Sequence, residues 1–308
     1  MTNVSGENRL SKNERREAAR EKARAIRAAQ KKRERRSKVI LQGSIALVVL
    51  AIVAIVAVVI ATQLKPPAPG PKNMLSDGIK IGQDFKAVPT PGLKPGDKPV
   101  AFASNEPADV FDIRVYIDYL CPVCGAFEAA NAAQIKQLVA DGAATLEVHP
   151  IAILDKASMG TKYSTRAANA SACVANYSPD SFFDFSALLF ENQPEEGTEG
   201  LTDEKLVDLT KKADVKSAGD VANCITSQQF KGWVDASTSR ALAGPIPGTD
   251  VKQITGTPSV FVNGQQFKYH TDQSGAFDAK EFQAFMIQAA AQNYTQDPSP
   301  SPSPAPAQ

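Results

Sequence analysis

The chain has 308 residues, four cysteines, two histidines and a formal net charge of +1, which leaves room for one or two domains. The near-neutral total hides an asymmetry: residues 1–38 hold 14 Lys/Arg against five Glu, and the remainder 20 Lys/Arg against 28 Asp/Glu. A basic head followed at once by an apolar run argues against nucleic-acid binding, and two histidines far from the cysteines leave too few ligands for a structural zinc.

Residues 1–38 are rich in Ala, Arg, Lys and Glu and read as a basic cytoplasmic segment, helical or disordered. Its charge would set topology and attract anionic lipid head groups. From Val39 to Leu64 no residue is charged, and Ile45 to Ala61 is unbroken Ile, Ala, Leu and Val. About 20 helical residues cross the hydrocarbon core, so 39–64 is predicted to be a single transmembrane helix, a signal-anchor. Arg33, Arg35, Arg36 and Lys38 lie directly upstream, and the positive-inside rule places them in the cytoplasm and the remainder outside. A cleavable signal peptide is the competing reading. Its apolar region normally runs ~7–15 residues to a small-residue cleavage site, whereas this longer run exits through Thr62-Gln63-Leu64-Lys65.

Residues 65–104, with Pro66, Pro67, Pro69, Pro71, Pro89, Pro91 and Pro95, read as an extended Pro/Gly-rich linker. The folded region is expected at 105–293, followed by a disordered Pro/Ser tail at 294–308. Phe111 to Tyr119 reads as a strand, rich in aromatic and β-branched residues. Phe127, Ile135, Leu138 and Val139 recur at helical spacing, with Gly142 ending that helix. Thr145 to Ile151 reads as a second strand. A helical block follows: Ser178-Pro179 opens one helix, with Ser as cap, and 201–213, 221–227 and 230–243 read as others. Ser259 to Val262 is a short strand, Asn263-Gly264 a hairpin turn, and Asp278 with Glu281 a capping box before a last helix with Phe282, Phe285, Met286 and Ala289 on one face. The order is β-α-β, helices, then β-β-α.

The chemistry centres on Cys121-Pro122-Val123-Cys124, placed where the first strand turns into a helix. Residues three apart share a helix face, so both sulfurs can close one small disulfide ring. The first would sit at the exposed helix start, where unpaired N–H groups and the helix dipole favour a thiolate, the reactive form in disulfide exchange. Pro122 suits the first helical position, where its missing N–H is not needed. A C-x-x-C near a βαβ pattern reads as a thioredoxin-like redox motif; as a purely structural bridge its short loop would stabilise little. Four cysteines outside the cytosol allow three pairings, and Cys121–Cys124 with Cys173–Cys224 leaves no odd thiol. A Cys173–Cys224 bridge would be worth ~4 kcal/mol of loop-closure entropy, with a second, electron-relaying pair as the alternative. No metal and no cofactor is called for.

The segment Val115-Tyr116-Ile117-Asp118-Tyr119-Leu120-Cys121-Pro122-Val123-Cys124 resembles the active-site segment of DsbA-like thiol–disulfide oxidoreductases of the thioredoxin superfamily. Gly256-Thr257-Pro258-Ser259-Val260-Phe261-Val262-Asn263-Gly264 is similar to that family's second signature, and Leu188-Leu189-Phe190-Glu191-Asn192-Gln193-Pro194 to its helical insert. The anchored layout resembles the membrane-tethered forms of Gram-positive bacteria. The resemblance implies an α/β thioredoxin fold with a helical subdomain inserted at about 155–245, preceded by the transmembrane helix. It implies that Cys121 is the exposed attacked sulfur and Cys124 the buried resolving one. It further implies that Thr257 and a cis Pro258 face them, and that Thr257, Pro258, Pro122 and Val123 meet an extended substrate peptide. Val115 stands where many thioredoxin-fold enzymes carry a buried carboxylate, so Asp118 and Glu128 are the nearest candidates for proton transfer, with a solvated surface charge as the other reading of each. Val123 stands where strongly oxidising members often have His, which removes a donor to the thiolate. The expected function is extracytoplasmic oxidation of thiols in exported proteins, with reoxidation by a quinone-linked DsbB-like or VKOR-like membrane partner. A disulfide reductase or isomerase is the nearer alternative, and a non-catalytic client-binding module the more distant one.

Overall fold

The computed structural model describes residues 12–63, 69–102, 107 and 110–296. The chain divides into two units, 1–66 and 67–308. In the first unit a single helix α1 (Lys12–Gln63) carries the basic segment and continues into the apolar run. Among the described residues no helix is long and apolar enough to cross a membrane. Within the apolar run the side chains of 39, 40, 45, 46 and 57–63 lie outside the description. The transmembrane helix expected over 39–64 is therefore not supported by the described residues.

The second unit is built on a five-stranded mixed sheet in the order β1-β3-β2-β4-β5. Its strands are β1 (Ile79–Ile81), β2 (Phe111–Ile117), β3 (Ala144–Pro150), β4 (Ser259–Val262) and β5 (Gln265–Phe267). Strands β2 and β3 run parallel, with Val115 opposite Val148; β4 runs antiparallel to β2, with Val115 opposite Val260. The parallel step is made through α2 (Pro122–Ala140). This helix buries Phe127, Ile135 and Val139 in one core with Val115, Ile117, Leu146 and Val148. Alternate residues Tyr116 and Phe261 point into a second core with Ile151, Ile246 and Ile254. Both faces of the sheet are covered, as a sheet with parallel strands requires. Charges inside the sheet are paired. Burial opposes ionisation of Glu147, but His149, Arg114 at 2.8 Å and Ser76 outweigh it and hold the carboxylate at about 2.

Strand β1 corrects the linker expected at 65–104. Ile79 and Ile81 are fully buried, as is Met74, and β1 pairs antiparallel with β3. Three strand residues among prolines and glycines carry too little periodicity to signal a strand, yet they extend the sheet by one edge. Most of the expected tail, 297–308, lies outside the described residues, while α8 (Ala279–Gln296) runs past 293.

Between β3 and β4 lie five helices: α3 (Tyr163–Tyr177), α4 (Phe182–Glu191), α5 (Asp203–Lys212), α6 (Ala218–Thr226) and α7 (Lys231–Ala243). Helix α3 forms their centre, because alanines at 167, 168, 170, 172 and 175 let neighbours approach it from several sides. Cys173 on α3 is bonded to Cys224 on α6 across 51 residues. Thr202 caps α5 by accepting from the Lys205 N–H. Ser178 does not act as the expected cap; its Oγ accepts from the Lys216 N–H at 3.1 Å, and a 3-10 turn at Pro179–Ser181 leads into α4. The capping box at α8 is half formed: Asp278 accepts from the Lys280 N–H, while Glu281 turns to His270 at 2.8 Å. Asn263 and Gly264 both have positive φ, 51° and 77°, as the type I′ hairpin between β4 and β5 demands.

The 51-residue covalent loop makes the insert a test of loop-closure entropy. The double variant Cys173→Ser with Cys224→Ser should lose up to ~4 kcal/mol in urea unfolding. An unchanged unfolding midpoint would contradict a structural role for this bridge.

Candidate active site

Strand β2 ends at Ile117, and four residues later the chain enters α2 with Cys121 as N-cap in extended geometry (φ −70°, ψ 115°) and Pro122 at the first helical position. The turn is held by the Cys121 N–H donating to the Asp118 carbonyl at 3.0 Å. Cys121 and Cys124 are free thiols here. From β4 the chain brings a second loop alongside: the Thr257-Pro258 bond is cis, and the Thr257 carbonyl accepts from Cys121 Sγ at 3.2 Å. Two signatures 136 residues apart in sequence thus meet at one sulfur.

The two sulfurs are electrostatically unequal. The Cys121 thiol is lowered to about 6, chiefly by a hydrogen bond from the Cys124 thiol. Burial opposes this, while the Thr257 side chain and the backbone N–H groups of Cys124 and Val123 add to it. Burial, followed by the neighbouring Cys121, pushes Cys124 well above its ordinary value. One thiol is therefore ionised near neutral pH, and the other keeps its proton.

Cys121 is less open than a helix start suggests: it is 6 % exposed, against 1 % for Cys124. Thr257 meets the Cys121 sulfur from one side, and the insert bonds the Cys121 backbone from the other. There Gln193 Nε2 donates to the carbonyls of Cys121 at 2.9 Å and Tyr119 at 3.1 Å. Pro122 and Val123 are exposed beside it, while Thr257 and Pro258 are buried. Val123, 37 % exposed, leaves an apolar side chain open to solvent next to Cys121.

The two candidate carboxylates occupy different environments. Asp118 is fully buried, and neither of its oxygens is left to solvent. One accepts from the Leu120 N–H at 2.9 Å, the other from the N–H groups of Ile153 at 2.8 Å and Leu154 at 2.9 Å. Burial raises its pKa, and these donors pull against it. Asp118 is thus a backbone tie between the active-site turn and the segment after β3, rather than a solvated charge. Glu128 is half-buried, four residues after Cys124 on the same helix face. It lines, with Cys124, Phe127, Phe182, Ser186 and Phe190, a narrow cavity of ≈ 30 Å³, room for about one water molecule. Burial alone raises its carboxyl to about 7.

Sequence reasoning missed two residues. Gln193 lies inside the Leu188–Pro194 stretch singled out for its resemblance, but nothing in that pattern marks its amide as a contact to Cys121. Tyr269, after β5, is half-buried, and its pKa is raised first by burial and then by the charges of Cys124 and Cys121. The histidines are engaged elsewhere: His149 with Glu147 at 3.0 Å, His270 with Glu281 at 2.8 Å.

A family model described as thioredoxin matches residues 105–286. The serine/threonine-protein kinase PknE of Mycobacterium tuberculosis is 30% identical over 161 residues, 51% of this chain. That match spans 27% of the kinase, about a quarter of its length. Among solved structures, the reduced disulfide bond oxidoreductase DsbG of Mycobacterium tuberculosis is 28% identical, with a TM-score of 0.48, covering 70% of this chain and 93% of its own. Reduced DsbA from the same organism is 27% identical, with a TM-score of 0.48, covering 70% and 98%. BdbD from Bacillus subtilis is 21% identical, with a TM-score of 0.50, covering 74% and 100%. The likeness to BdbD is one of fold.

A Cys121 thiol lowered to about 6 should alkylate with a half-maximal rate near pH 6, against ~8.5 for a free thiol. An acid whose folded pKa is depressed adds stability that is complete above its unfolded pKa and is lost as pH falls through about 6. The reduced protein should therefore gain on Cys121→Ser between pH 6 and 9 in paired unfolding curves. An alkylation midpoint near 8.5 would contradict the thiolate assignment.

Proposed function

The chain belongs to the thioredoxin family, and from that premise we propose that it is a DsbA-like thiol–disulfide oxidoreductase that oxidises thiols of exported proteins outside the cytoplasm. The observation that carries this reading is the inequality of the two sulfurs: Cys121 is lowered to about 6 and Cys124 is raised. A stabilised thiolate is a good leaving group, and it stabilises the reduced form of the enzyme, which makes the disulfide form an oxidant.

The cycle starts from the Cys121–Cys124 disulfide. A substrate thiolate attacks Cys121 Sγ; the Cys121–Cys124 bond breaks, and Cys124 leaves with the electron pair. With its pKa raised, Cys124 needs a proton, and Glu128 shares its cavity and titrates near 7, so Glu128 supplies that proton directly or through one water. A second substrate thiolate then attacks the substrate sulfur of the mixed disulfide, and Cys121 departs as thiolate. The substrate loses two electrons, and the Cys121/Cys124 pair gains them. Thr257 and Pro258 supply the backbone edge, and Val123 the apolar contact, for an extended substrate.

The uncharged run 39–64 behind a basic segment supports an N-in membrane anchor, which puts the dithiol where disulfides persist. The reduced pair then calls for an oxidant, and a quinone-linked DsbB-like or VKOR-like membrane protein is of the right class. Val123 in place of a His donor favours a disulfide less oxidising than that of the strongest oxidases, and this is the observation that keeps a reductase or isomerase as the second reading.

The oxidised full-length protein in detergent should accelerate refolding of a reduced, unfolded disulfide protein, and Cys121→Ser should abolish the acceleration. Glu128→Gln should keep Cys121 reactive but slow the turnover. Equal refolding rates with wild type and Cys121→Ser would rule out the oxidase.

A further inference from the structure

From the helical insert, one side chain hydrogen-bonds the backbone of the active-site turn. The amide of Gln193 has two N–H donors, and both are used. One goes to the Tyr119 carbonyl at 3.1 Å, the other to the Cys121 carbonyl at 2.9 Å. These two carbonyls bracket the peptide that carries the reactive thiol into α2. The Cys121 carbonyl also accepts from the Gly125 N–H at 3.1 Å, the first intrahelical bond of α2. Gln193 therefore grips the same oxygen that fixes the first helical turn.

Gly125 is shaped to this contact. It lies within α2, where glycine weakens a helix relative to alanine, and its φ is not in the left-handed range. Conformation gives no reason for a glycine there, but space does: a Cβ at 125 would overlap Gln193 Oε1 and lie 3.2 Å from its Cδ. Behind the contact, Tyr119 bonds Ser186 at 3.0 Å and packs on Phe190 at 5.1 Å, both on α4. The end of α4 is thus fixed against the turn, and Gln193 follows it by two residues.

We propose that Gln193 is a positioning residue: from the insert, it clamps the peptide 119–121 so that Cys121 Sγ stays in line with the N–H groups opening α2. The insert then helps set the state of the dithiol, and Gly125 is the notch that admits the clamp. The inference deepens the thiol–disulfide reading above and rests on it. With the clamp gone, the carbonyls of Tyr119 and Cys121 lose their tie to the insert, while the Asp118 carboxylate and the Tyr119 ring still hold the turn from other sides. The sulfur spends less time at the Val123 and Cys124 N–H groups that help to stabilise its thiolate.

The test is a titration of the Cys121 thiolate, by ultraviolet absorbance and by alkylation rate, in the reduced full-length protein in detergent. Gln193→Leu should raise the midpoint by about one pH unit, the scale of one charge-assisted hydrogen bond. Gly125→Ala retains the amide but pushes it out of the notch, so it should raise the midpoint similarly, even though alanine strengthens the helix. The double variant should show no more than the larger single shift, because both act through one contact. Should Gln193→Leu fail to fold, Gly125→Ala still decides. Unchanged midpoints, with only the unfolding curve moved, would make Gln193 a loop anchor and overturn the proposal, as would additive shifts. The titration uses no substrate or redox partner, so a failed refolding assay leaves its outcome intact.

Discussion

The structure turns on the hydrogen bonds that a helix start offers to one sulfur. Cys121 caps α2, where the first N–H groups have no partner within the helix. The Cys124 thiol donates most strongly to its thiolate, and the N–H groups of Cys124 and Val123 add to it. Burial works against that charge, and a thiolate in a largely closed site survives only because these donors converge. The same burial, without comparable donors, keeps Cys124 protonated. A single turn of helix thereby separates two chemically identical groups into a leaving group and a proton holder.

The rest of the domain holds that turn still. Strand β2 delivers it from the middle of the sheet, and Asp118 ties it to the segment after β3 through backbone N–H groups at 153 and 154. Strand β4 brings in the Thr257 carbonyl, and the insert closes from the remaining side through Gln193. Each support comes from a different stretch of sequence, so the reactive geometry exists only when the sheet and the insert are both in place. That offers a physical reason for the insert's covalent bridge: Cys173–Cys224 restrains helices that must present one amide accurately.

Much of this was legible in the sequence. β2, α2, β4 and the Asn263-Gly264 hairpin follow from alternation, helical spacing and turn chemistry, which are local signals. Cys121, Cys124, Thr257 and Pro258 could be singled out because their motifs are short and ordered. Other features were not legible, because their meaning is made by tertiary contact. Strand β1 has three residues, and only its pairing with β3 makes it a strand. Asp118 reads as a surface charge until three backbone donors surround it. Glu128 reads the same way until α4 places Phe182 and Phe190 across its cavity. The amide bond to the Cys121 carbonyl comes from Gln193, 72 residues away, which no local pattern reveals.

The central claim is that helix-start hydrogen bonds stabilise the reduced pair enough to make its disulfide an oxidant. The reduction potential of Cys121/Cys124 in the full-length protein, equilibrated against glutathione, tests it most directly. The account predicts a value clearly above thioredoxin's ~−270 mV, displaced toward the ~−120 mV of DsbA. A value at or below ~−270 mV would contradict it.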